Sequence, residues 1–341
     1  MSTAYVYDPS YLEHNRPGHV ECRERLETTI QVLDQRGLLE KLAQIQPAPV
    51  PAEHLLAVHH EHYVKLARDV AERGGGNLDS DTYLNGRSYE VALLAAGGLL
   101  NLVDAILDGK ADNGFALVRP PGHHALPGRG MGFCLFNNVA VAAQYALKHR
   151  GLSRILIADF DLHHGNGTQE MFYTTDSVMY FSTHQYPYYP GTGHWSEIGA
   201  AAGEGFTVNV PLLAGVGDEG YERIFDEILY PIAERYLPEF ILVSAGFDAH
   251  WRDPLGMMQV SAAGYGSLAG ILKQMADELC DGRLAFTLEG GYDLQGLAHS
   301  IAAVLQALLG EDIDDPLGPS PRPSTSVDDM IIHVKGVHRL V

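Results

Sequence analysis

The stretch RILIADFDLHHGN, residues 154–166, decides the fold. Residues 154–158 form a short apolar run, and the residues after it are crowded with aspartate, histidine and asparagine. An apolar run of this length without polar alternation suits a strand buried on both faces, as in a parallel sheet. The same pattern recurs outward along the chain. Residues 115–118 run into Arg119-Pro120-Pro121-Gly122-His123-His124, residues 240–244 into Ala245-Gly246-Phe247-Asp248, and residues 284–288 into Glu289-Gly290-Gly291-Tyr292. Further strands are expected at 178–182 and 206–210. Helical patterns fill the intervals at 24–36, ended by Gly37, at 88–107, ended near Gly109, and at 138–148, 221–234 and 262–279. Alternation at this spacing predicts a three-layer α/β/α fold around a mainly parallel sheet.

No internal repeat or linker divides the chain, so residues 1–341 read as one domain, with 311–341 partly irregular. The glycine-rich residues 73–76 read as a surface loop, and the proline-rich residues 315–326 as a surface excursion. The hydrophobic fraction of 46% and charged fraction of 19% are those of a globular chain. With 43 acidic against 23 basic residues the formal charge is −20. That balance disfavours a nucleic-acid partner, which needs a basic face to meet phosphates. Cys22, Cys134 and Cys280 lie far apart and form no disulfide framework, which suits a reducing compartment. There is no signal-peptide pattern at the N-terminus, and no apolar run reads as a membrane span. A cytoplasmic protein with no membrane partner is the expectation.

The chemistry gathers beyond the strand ends, where open α/β sheets bind their ligands. Asp161-x-His163 sets two ligating side chains on one side of an extended segment, because side chains alternate along it. Asp248, from a separate strand, can add a third ligand. Three N/O ligands leave an open coordination position, the arrangement of a catalytic zinc site. Either signal alone is commonplace; with the tandem His123-His124 the combination is specific.

The segments RPPGHHALPGRGMGFCLFNNVAVAA (119–143), DFDLHHGNGTQEMFY (159–173), SAGFDAHWRDPLG (244–256) and LEGGYD (288–293) resemble the histone deacetylase superfamily. The likeness is greatest to its class II and bacterial amidohydrolase branch, on an arginase/deacetylase-type fold. HVECRERLETT (19–29) is similar to the family's N-terminal arginine motif, departing from HPERPERL at Val20, Cys22 and Arg23.

The resemblance implies Zn²⁺ on Asp161, His163 and Asp248, with His124 as general base and then acid. His123 would be an electrostatic stabiliser. Asp159 would orient His123 and Asn166 would orient His124, an asparagine here pointing to class II. Tyr292 would donate to the developing oxyanion. Phe133 and Tyr189 would wall an acyl-lysine tunnel with Gly132, although relatives usually carry Phe at the second position. Arg25 would line the acetate-release region. Potassium is implied at two sites: the Asp159 side chain with carbonyls of Asp159, Asp161, His163, Ser182 and Thr183, and the carbonyls of Phe172, Thr175, Val178 and Phe206.

Three substrate readings compete: an acetylated lysine in a protein or peptide, an acetylated polyamine or other small amine, and a non-catalytic binding module. Leu255 stands where polyamine-selective relatives place a glutamate, which favours the first. Retention of both histidines, all three ligands and Tyr292 argues against the module. A dimanganese arginase-like site would need more carboxylates. By analogy with bacterial relatives, the expectation is a homo-oligomer, dimer or tetramer.

Overall fold

Each apolar run becomes a strand of one sheet in the computed structural model, which describes residues 2–340. In chain order the strands are β1 (Thr3–Val6), β2 (Ala43–Ile45), β3 (Gly75–Asn77), β4 (Tyr83–Asn85), β5 (Asn113–Ala116), β6 (Ile155–Asp159), β7 (Val178–Gln185), β8 (Thr207–Leu212), β9 (Phe240–Ala245) and β10 (Leu284–Leu288). The helices are α1 (Glu24–Gln35), α2 (Ala52–Leu56), α3 (Glu61–Glu72), α4 (Ser88–Leu107), α5 (Asn138–His149), α6 (Asn166–Phe172), α7 (Asp218–Ile224), α8 (Tyr230–Tyr236), α9 (Ala262–Leu279), α10 (Leu294–Leu309) and α11 (Asp328–His338).

Eight strands pair in the order β2-β1-β5-β10-β9-β6-β7-β8, every neighbour parallel. Helices cover both faces. One layer packs α1 on α10, α10 on α9, and α9 on α7 and α8; the other packs α4 on α5, with α4 over β1 and β5 and α5 over β6 and β9. The expected α/β/α architecture is therefore present. It explains why β5 to β10 read as unbroken apolar runs: every residue of β6, β7, β8, β9 and β10 is buried.

The structure departs from the sequence expectations where elements are short or locally modified. β1 has four residues and β2 three, too few to carry a periodic signal. The glycine-rich loop expected at 73–76 instead leads into a hairpin, β3 against β4, in which a Cβ on Gly75 would meet the Leu84 carbonyl oxygen at 2.4 Å. The helix expected at 221–234 is α7 and α8 joined by a π-turn at Phe225–Leu229, in the turn before Pro231, whose ring nitrogen has no hydrogen to donate. Beyond the irregular 315–326 stretch the chain forms α11, which packs against β8.

Helix α4 has the length and apolar composition of a membrane span, which the sequence reading credited to no segment. In the fold, 67% of its apolar window is buried against the sheet and neighbouring helices, and core burial accounts for its composition. Its Gly97 admits the 48–50 segment so closely that an added Cβ would lie 1.8 Å from the Ala48 carbonyl oxygen. Gly to Ala inside a helix ordinarily gains up to about 1 kcal/mol. Here the clash reverses the sign: Gly97→Ala is expected to lower stability by about 1–3 kcal/mol in urea unfolding.

Candidate active site

The carboxyl ends of β5, β6, β9 and β10 lie side by side at the centre of the sheet, with Ser244 of β9 opposite Asp159 and Leu288 of β10 opposite Ala245. Loops leaving these ends carry His123 and His124, Asp161 and His163, Asp248, and Tyr292 to one place. Asp161, His163 and Asp248 offer ligand atoms that all lie within 4.8 Å of one another. The His163 Nδ1 sits 3.2 Å from Asp161 Oδ1 and 3.0 Å from Asp248 Oδ2. Each carboxylate is aimed by the backbone: Gly290 N–H donates to Asp161 Oδ2 at 2.8 Å, and Leu162 N–H to Asp248 Oδ1 at 2.8 Å.

Glycine makes this packing possible. A Cβ on Gly246 would stand 1.9 Å from Asp161 Oδ2, and one on Gly290 would stand 2.4 Å from Asp248 Oδ2. Asp161 and Asp248 are 1% and 0% exposed, so two carboxylates share a buried site with little solvent to screen them. Burial disfavours charge on His163, yet the two carboxylates outweigh it and push the imidazole up to about 10. The pocket demands a positive charge at its centre, and its O, N, O donors fit a divalent cation.

Beside this triangle the two tandem histidines stack, ring centres 4.0 Å apart. His123 Nδ1 faces Asp159 Oδ2 at 3.1 Å, and His124 Nδ1 faces Asn166 Oδ1 at 2.8 Å. Tyr180 OH donates to the same Asp159 oxygen at 3.0 Å. Their electrostatics diverge. Burial opposes charge on His123, but Asp161 and Asp159 overcome it and raise the ring to about 10. Burial and the neighbouring His123 and His163 hold His124 well below the usual range. His124 is thus a neutral imidazole whose Nδ1–H donates to an amide oxygen, leaving Nε2 to accept a proton.

A narrow cavity of about 90 Å³ opens above these groups, lined by Asp81, His124, Gly132, Phe133, His163, Tyr189, Leu255 and Tyr292. Gly132 (φ 56°) and Phe133 (φ 67°) are both left-handed, and a Cβ on Gly132 would strike the His124 ring at 2.4 Å. Phe133 is held in this unfavourable conformation by its N–H bond to Thr82 Oγ1 at 3.1 Å. Phe133 meets the Tyr292 ring edge-on at 5.7 Å, and Tyr189 meets His124 edge-on at 5.1 Å. Two larger surface clefts, of about 700 Å³ and about 670 Å³, hold none of these groups.

The sequence profile of the histone deacetylase domain matches residues 19–308. This chain belongs to the histone deacetylase family. A "Probable deacetylase" of Archaeoglobus fulgidus is 43% identical over 92% of this chain and 88% of its own length. The "Histone deacetylase-like amidohydrolase" of Pseudomonas aeruginosa is 39% identical over 88% and 80%. The crystal structure of the HDA15 HD domain superposes with a TM-score of 0.92 at 38% identity, covering 99% of this chain and 94% of that one. The chain is accordingly a hydrolase of the deacetylase family, and membership implies an amide-hydrolysing enzyme, a metal cofactor and acetylated substrates.

The remaining residues singled out by sequence fall around this centre. Ser182 lies opposite Asp159 in the β6–β7 register, with Thr183 next to it. Phe172 and Thr175 share one turn after α6, Val178 begins β7, and the Phe206 carbonyl accepts from Tyr180 N–H at 2.9 Å. Arg25 is fully buried, donating through Nε to Gly291 O and through Nη2 to Glu289 O, both at 2.6 Å, beneath the Tyr292 ring.

Several supporting groups were given no role by the sequence. Glu289 Oε2 accepts from the N–H groups of Gly122 and His123, tying the β10 end to the histidine loop. Glu21 bridges Arg25 and Arg119, and Arg119 also caps the carbonyls of Tyr11 and His14. Only the spacing of Glu21, four residues before Arg25, hinted at a pair. Asp81 reaches the cavity from the β3–β4 hairpin.

Burial pushes the Glu21 carboxyl up, but Arg119, His14 and Arg25 more than reverse this and hold it at about 2. A carboxyl lowered by folding stabilises fully above its ordinary value of 4.5 and loses that contribution as pH falls toward about 2. Glu21→Gln should therefore cost about 3–5 kcal/mol near neutral pH. Urea unfolding of this variant should also depend less on pH between 4.5 and about 2 than that of the parent.

Proposed function

We propose that this protein is a Zn²⁺-dependent deacetylase that hydrolyses the acetyl amide of acyl-lysine side chains in proteins or peptides. The observation that carries the reading is the buried Asp161–His163–Asp248 triangle facing a neutral His124 at the base of a narrow, aromatic-walled cavity. Asp161, His163 and Asp248 are the residues that would hold zinc, which when bound supplies Lewis acidity that polarises an amide carbonyl and acidifies water.

The protein's own part is positioning and proton transfer. Phe133 and Tyr189 sheath the apolar stem of the lysine and shield it from bulk solvent. His124 Nε2 takes a proton from the attacking water and returns one to the leaving amine, as a general base and then acid. Asn166 keeps the tautomer right by accepting from Nδ1–H. His123, which Asp161 and Asp159 push toward its charged form, would offset negative charge that grows nearby. Burial raises the Tyr292 phenol well above its ordinary value, so its hydroxyl stays protonated and can donate to the developing oxyanion. Potassium is the second cation of this reading, at the Asp159–Ser182 and Phe172–Phe206 sites, where it would brace the β6 and β7 ends.

A second reading, an acetylpolyamine or other small acetyl-amine amidohydrolase, is favoured by one observation. Leu255 is neutral, but Asp81 on the cavity wall brings a carboxylate within reach of a distal ammonium.

Turnover of an acetyl-lysine peptide should exceed that of acetylated putrescine and spermidine. The reverse order would move the function to the second reading, and no turnover on any of them with zinc bound would sink both. Tyr292→Phe should retain metal and lower kcat by ~10²–10³. His124→Ala should retain metal and lose ~10²–10⁴. Asp161→Asn and Asp248→Asn should lose metal and activity together, measured by elemental analysis beside the assay.

A further inference from the structure

Asp253 stands five residues beyond Asp248 and is 6% exposed, yet among the described residues it faces no cationic side chain. Its carboxylate is instead satisfied by three backbone N–H groups from two separate loops. Oδ2 accepts from Tyr292 N–H at 2.6 Å and from Asp293 N–H at 3.1 Å. Oδ1 accepts from Leu255 N–H at 2.9 Å. The loop that carries it is anchored in turn, its own N–H donating to the His250 carbonyl at 2.8 Å.

The partners give the contact its meaning. Tyr292 and Asp293 form the corner between β10 and α10, and the Asp293 side chain caps that helix through Gly296 N–H at 2.7 Å. Corner geometry sets the direction in which the Tyr292 side chain leaves the backbone. Among the described residues, the Tyr292 hydroxyl makes no hydrogen bond to the protein, so nothing fixes the ring from its far end. Its aim rests on the backbone, on Arg25 beneath the ring and on the Phe133 edge. Leu255, the other partner, lines the cavity, and its carbonyl accepts from Tyr188 OH at 2.9 Å.

We infer that Asp253 is a positioning residue for the reaction, a clamp that locks the Tyr292 corner to the Leu255 wall and so aims the phenolic hydroxyl into the cavity. The inference rests on the donor role proposed above for Tyr292. In this geometry both oxygens of the Asp253 side chain accept from backbone N–H groups, whereas an asparagine must turn an N–H toward one set of those donors. The isosteric Asp253→Asn therefore breaks one half of the clamp without emptying the site.

The test is a double-mutant cycle of Asp253→Asn with Tyr292→Phe, reading kcat, KM, metal content and melting temperature, with amide hydrogen exchange on metal-free protein. Asp253→Asn is expected to lower kcat by about 10- to 10²-fold, the scale of a misaimed catalytic group, with KM and metal content unchanged. In the Tyr292→Phe background it should cost nothing further, since there is no hydroxyl left to aim. Amide exchange should quicken at 255, 292 or 293 while β10 stays protected. Equal losses of kcat in both backgrounds, or a loss that follows metal content, would make Asp253 a merely structural residue and overturn the inference alone. Wild-type turnover in Tyr292→Phe would remove the donor role first and the clamp's purpose with it. If Asp253→Asn does not fold, Asp253→Glu, which keeps the carboxyl group but shifts it by a methylene, is read by the same cycle.

Discussion

Two aspartates, Asp161 and Asp248, bring their carboxylates together beneath the cavity floor, where both side chains are buried. Like charges so buried are costly unless something positive stands between them. The surrounding structure is organised around that demand. Parallel strands bring separate chain segments to one edge, and glycines at 246 and 290 let the carboxylates approach. Single backbone donors hold one oxygen of each, and His163 turns its Nδ1 to the others. A family whose members imply a metal cofactor supplies the natural occupant of such a charge balance.

The same electrostatics separate two adjacent histidines. His123 shares the carboxylate field of Asp159 and Asp161 and is held charged, while His124 meets an amide and two histidine rings and is held neutral. Identical side chains, one residue apart, thereby acquire opposite protonation tendencies. A second buried network, Glu21 with Arg25 and Arg119, stiffens the floor beneath Tyr292 by capping the carbonyls of Glu289 and Gly291. Sites on rigid supports of this kind keep their geometry without reorganising at the moment of reaction.

Much of the fold was legible because burial on both faces writes a simple pattern. β5 to β10 announced themselves as apolar runs, with α4 and α9 recovered to the residue. β1 and β2 were too short to show a period, and the β3–β4 hairpin hid behind glycines whose role is close backbone approach. In the site, Asp161, His163 and Asp248 were readable because they follow strands at fixed offsets. Asp81, Glu289 and Asp253 were not, since a single carboxylate in a loop looks the same whether it faces solvent or clamps a neighbouring segment.

The sequence by itself determined the strand–helix order, the apolar sheet and the identity of the polar residues at its carboxyl edge, since these depend on local pattern and chain offset. Only the tertiary structure decided which carboxylate meets which donor, in which direction each tandem histidine is pushed, and that Asp253 joins the Tyr292 corner to the Leu255 wall. Those outcomes depend on distances between segments far apart in the chain and on the water excluded between them, and neither quantity is written in any local stretch of residues.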